Sequence, residues 1–64
     1  MSTVESVQLV ERLQLEGRLR SWTLCCDDDG IHSAVLHWSH RRVPTVRSAR
    51  VLGEAVAAAV EDEV

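Results

Sequence analysis

The residue types able to do chemistry are gathered in the middle of the chain. Cys25, Cys26, His32, His37 and His40 are all zinc-type ligands and fall between positions 25 and 40. On a strand, Cys25 and Cys26 point to opposite faces, so they cannot close on one ion as a Cys-x-x-Cys knuckle does. His32 and His37 are split in the same way, which leaves only His37-x-x-His40 as a convergent pair, short of a structural zinc set. A cysteine nucleophile needs a lowered thiol pKa and an oriented base. Cys26 opposite His32 is the nearest approach to one, and a small cysteine on a core face beside a turn needs no catalytic explanation. Asp27, Asp28 and Asp29 precede Gly30, which is ordinary turn composition and lacks the further alternating ligands of a calcium loop. These residues assign no catalytic group, no metal and no cofactor, and the chain reads as no enzyme.

The arginines form the constellation with a functional reading. All seven basic residues are arginines, and six of them, Arg18, Arg20, Arg41, Arg42, Arg47 and Arg50, fall between positions 18 and 50, while Glu61, Asp62 and Glu63 stand at the end. Arg41 and Arg42 precede a second helix whose N-terminal amides attract anions, and Arg47 and Arg50 project from its first turns. Arg18 and Arg20 lie on an adjoining strand. Such a patch suits phosphate, a nucleic-acid backbone or an acidic partner. Against nucleic acid stand the net charge of −3 and the absence of Tyr and Phe, which leaves no stacking platform once both tryptophans are committed to the core.

Three elements must position these side chains. Ser2 to Glu16 reads as a helix, with Ser2 and Glu5 as a capping box, Val4, Val7, Val10 and Leu13 as its apolar stripe, and Gly17 at its end. Arg18 to Cys26 and Ile31 to Ser39 read as the strands of a hairpin. A loop of Asp28, Asp29 and Gly30, with Gly30 left-handed, sets Trp22 opposite Leu36, Leu24 opposite Ala34 and Arg20 opposite Trp38. Trp22, Leu24, Cys26, Ala34, Leu36 and Trp38 then share the core face, and Ser21, Thr23, Cys25, Ser33, Val35 and His37 the other. After Pro44, Thr45 reads as the N-cap of a helix to about Asp62, with Ala49, Leu52, Ala55, Val56, Ala59 and Val60 toward the sheet and Arg50 and Glu54 as a surface pair. Gly53, Ala57 and Ala58 leave a smooth ridge suited to close helix approach. The expected fold is α+β, in the order α-β-β-α, with two helices packed on one face of the hairpin and the sheet extended by dimerisation.

With 64 residues the chain makes a single domain, 1–64, that buries only about 60% of its unfolded surface, so its core needs a supplement. A bridge between the adjacent Cys25 and Cys26 would strain the intervening peptide, which leaves oligomerisation. Edge strands invite a second copy, and a homodimer is expected. No apolar run reaches the ~18 residues of a membrane span, and Glu5 and Glu11 stand where a signal peptide would be basic and then apolar. The expected location is the cytoplasm, with both thiols reduced.

The Trp-Thr-Leu of residues 22–24, the Asp-Asp-Asp-Gly turn, and the run from His40 through Pro44-Thr45 into Arg50-Val-Leu-Gly-Glu-Ala-Val-Ala-Ala-Ala-Val60 resemble small uncharacterised proteins of actinobacteria and their phages. Those often end in a hairpin, a proline-threonine cap and an Ala/Leu/Arg helix. The likeness covers roughly residues 20–62 and implies no activity. A weaker likeness is to double-stranded-RNA-binding domains, similar in length and in a basic entry to an Ala-rich last helix, although no third strand and no lysine is legible in this chain. The expected function is that of a non-enzymatic phage or bacterial accessory factor, a homodimer that binds and modulates a protein partner. The alternative is a small nucleic-acid-binding regulator acting through the arginine patch.

Overall fold

The computed structural model describes residues 1–62, so Glu63 of the expected acidic end lies outside the described residues. The chain runs α1 (Thr3–Leu15), β1 (Leu19–Cys26), β2 (His32–Trp38), β3 (Thr45–Ala49) and α2 (Leu52–Glu61). The strands form one antiparallel sheet in the order β1-β2-β3. Both helices cover the same face, α1 against β1 and α2 against β2 and β3, and they touch each other. The α+β class and the helix–hairpin–helix frame are those expected. The third strand is new.

Each end of α1 is determined by side chains the sequence displays. The Ser2 hydroxyl accepts from the Glu5 amide and the Glu5 carboxylate accepts from the Ser2 amide, each at 3.1 Å. At the other end Gly17 has φ +80°, the left-handed conformation that favours glycine. It lets its own amide donate to the Gln14 carbonyl and the Arg18 amide donate to the Leu13 carbonyl, which closes a Schellman motif. The buried face of α1 is Ser6, Val10 and Leu13. Val4, expected in that stripe, is exposed, and the Ser6 hydroxyl avoids a buried unpaired group by donating to the Ser2 carbonyl at 2.8 Å.

The hairpin has the expected loop and, over most of its length, the expected register. The Asp27 amide donates to the Ile31 carbonyl, Gly30 has φ +80°, and the Asp27 carboxylate accepts from the amides of Asp29 and Ile31. Trp22 pairs with Leu36, Leu24 with Ala34 and Cys26 with His32. The register breaks at Arg20. Leu19, not Arg20, lies opposite Trp38, and Ser21 is next, opposite His37, so Arg20 is the extra residue of a bulge. Strict alternation would put Leu19 on the face of Ser21. The bulge returns it to the core, where it is buried with Val10, Leu13, Ala34, Leu36, Trp38, Ala55, Val56 and Ala59. Trp22 and Leu24 are half-buried against that cluster, and Cys26, expected in the core, is exposed.

The residues expected to start the second helix are strand instead. Thr45 and Val46 are β-branched, which favours strand over helix. Once extended, they gain partners: Leu36 pairs with Thr45 and Val35 with Val46. The Thr45 hydroxyl, expected to cap a helix, accepts the indole N–H of Trp38 at 3.1 Å in the buried interior. Helix α2 therefore begins only at Leu52, with Val51 at its N-cap and no side-chain bond closing it. Its apolar residues do face the sheet, and its ridge is already used: a Cβ on the buried Gly53 would overlap the Met1 carbonyl.

Trp38 is 1% exposed and bonded through its indole, so Trp38→Ala should cost about 3–5 kcal/mol, enough to unfold a chain of this size in a urea titration. The capping box sets a pH effect. The Ser2 amide, and then its hydroxyl, hold the Glu5 carboxyl below its ordinary value of 4.5. Stability from a depressed carboxyl is present above the ordinary pKa and lost as pH falls through the folded one. Thermal melts of the parent should therefore weaken relative to Glu5→Gln as pH falls below about 4.5.

Candidate functional site

The structure divides the six arginines into groups. The Gly17 turn feeds Arg18 into β1, where the Arg18 carbonyl accepts from the Ser39 amide, so the start of β1 lies beside the β2–β3 loop. The bulge then turns Arg20 outward from the sheet, and its guanidinium donates to the Arg41 carbonyl at 3.3 Å. Arg20, Ser39, His40, Arg41 and Arg42 line one open groove of about 340 Å³. The His40 ring stands 6.1 Å from that of Trp38, at a tilt of 57°. Arg18, Arg20, Arg41 and Arg42 thus share one end of the sheet.

Arg47 and Arg50 do not join them. Arg47 is on β3, opposite Ala34 on the helix-covered face, and its guanidinium pairs with the Asp62 carboxylate at the end of α2. Arg50 follows β3, whose last residue Ala49 pairs with His32, so it lies at the other end of the sheet, by the Asp27-Asp28-Asp29 turn. The expected juxtaposition of Arg41 and Arg42 with the α2 N-terminus is therefore corrected: β3 carries the chain the length of the sheet between them. For the same reason Arg50 and Glu54 are not neighbours on one helix.

Cys26 and His32 are the facing pair expected, with Sγ and Nε2 3.9 Å apart, and both cysteines are free and exposed. With Leu24, Cys25 and Leu52 they surround an open apolar depression of about 180 Å³ at the turn end. Among the described residues no three Cys, His, Asp or Glu side chains gather as a metal set. A feature that sequence reasoning understated is the uncovered face of the sheet. The third strand widens it to Thr23, Ser33, Val35, His37, Val46 and Ser48, with the hydroxyls of Ser33 and Ser48 bonded at 2.9 Å. Val46 is 48% exposed at its centre, beside Val35. The legible signal was the β-branched pair Thr45-Val46 after Pro44.

Comparison with family models, with curated proteins and with solved structures finds no match to the chain. No helix among the described residues is long and apolar enough to cross a membrane.

Proposed function

We propose that the protein is a non-enzymatic interaction protein, a cytoplasmic homodimer that binds and modulates a protein partner, of the kind phages and bacteria use as accessory factors. The observation that supports it is one-sided coverage. Both helices serve one face of the sheet, and the other carries the exposed Val46 beside a half-buried Val35, within a border of small polar residues. An apolar centre with a polar rim is the anatomy of a protein-binding patch. The exposed free thiols of Cys25 and Cys26 suit a reducing compartment.

A second reading, nucleic-acid binding, is favoured by the groove that gathers Arg20, Arg41 and Arg42 beside His40. The third strand removes one difference from the double-stranded-RNA-binding domains. The negative net charge and the separation of Arg47 and Arg50 from the groove weigh against it.

A Val46→Glu variant should melt like the parent, since the side chain is half in solvent, and should lose a partner band that the parent retains in a pull-down. Equal retention by both would remove the sheet face as the binding surface. Anisotropy of labelled duplex DNA and RNA should stay flat on titration even at low salt. Tight binding that falls steeply with salt and is lost on replacing Arg41 and Arg42 with alanine would install the second reading instead.

A further inference from the structure

We propose that the dimer forms by antiparallel pairing of β1 with β1 of a second copy, centred on Leu24; this rests on the homodimer proposed above and names its interface. The sheet order leaves β1 and β3 as edges. β3 is guarded, being short, preceded by Pro44, and carrying Arg47 on its inner face. β1 is longer, and no strand among the described residues pairs with its outer side.

The register follows from the backbone. The Asp27 amide bonds across to Ile31, so alternation aims the backbone groups of Cys25, Thr23 and Ser21 at β2 and those of Cys26, Leu24 and Trp22 outward. The Arg20 carbonyl is taken by the Gln14 side chain at 3.2 Å, which closes the edge at that point. One twofold register joins all three outward residues to outward residues: Leu24 with its own copy, and Trp22 with the copy's Cys26.

Continued one step, this register sets Arg20 opposite Asp28 of the copy. Charge agrees at both ends of the pair. Arg18, Arg20, Arg41 and Arg42 occupy one end of the sheet and Asp27, Asp28 and Asp29 the other, separated by the length of β1, roughly 25 Å at 3.3 Å per residue. An antiparallel twofold brings each basic end against an acidic one, twice. Shape agrees as well. The end of α1 overhangs the start of β1, where Gln14 also accepts the Trp22 indole N–H, and the adjacent Leu15 is 89% exposed. The far half of β1 is instead uncovered, and its apolar depression at Leu24, Cys26 and Leu52 lies where the twofold carries the overhanging helix end of the copy. The result is a six-stranded sheet with four helices on one face and a continuous bare face on the other.

The experiment has two readouts. In solution the parent should have twice its chain mass of 7.1 kDa, with a dimer that weakens as salt is raised. In a Cys25→Ser, Cys26→Ser background, Leu24→Cys should form a covalent dimer on mild oxidation, whereas Ser48→Cys on the other edge strand should not. Arg20→Asp and Asp28→Arg should each weaken dimerisation at least tenfold, and the double exchange should restore it. A dimeric parent with no cross-link through position 24 and no rescue by the double exchange overturns the β1 interface and leaves the homodimer standing. A monomer at all concentrations overturns both.

Discussion

The buried bond between the Trp38 indole and the Thr45 hydroxyl is the constraint on which the rest of the sheet depends. Trp38 ends β2 and Thr45 begins β3, and between them lies the arginine loop. An indole buried without a partner leaves its N–H unsatisfied, so the ring can enter the core only where an acceptor waits for it. Thr45 supplies that acceptor only if the chain returns along β2. Burying the largest side chain in the core and adding the third strand are thus one event. The remaining strand residues follow by pairing, and α2 takes its place because its alanines and Val56 then have β3 beside β2 to lie on.

Coverage of the sheet is unequal, and the inequality organises the surface. A 13-residue and a 10-residue helix shield one side, leaving the other to valines, serines, a threonine, a cysteine and a histidine. Charge is distributed by end rather than by face. The loops at the two ends of the hairpin carry opposite signs, a polarity that the net charge of the chain conceals. This arrangement suits recognition by surfaces and fields rather than by an enclosed cavity.

Legibility in the sequence followed the range of the interactions. The capping box of Ser2 and Glu5, the Gly17 stop and the Asp-Asp-Gly loop are local, and each was readable from a few adjacent residues. So was the register around Leu24 and Leu36, because the loop length sets it. What escaped depends on distant partners. Thr45 reads as a helix cap when taken with its neighbours and becomes a strand residue through Trp38, seven positions away in sequence and adjacent in space. The misplacement of Arg47 and Arg50 followed from that single residue. Arg20 escaped for another reason: a bulge has no side-chain signature of its own.

That bulge gives the strand two reading frames. Before it, odd positions face inward, as Leu19 does; after it, even positions do, as Trp22 and Leu24 do. Arg20 is the spacer between frames, so its presence counts for more than its identity. Chemical substitution there changes a surface charge, while loss of the one codon would invert every side chain on one side of the join. For this strand, length polymorphism is far more dangerous than replacement.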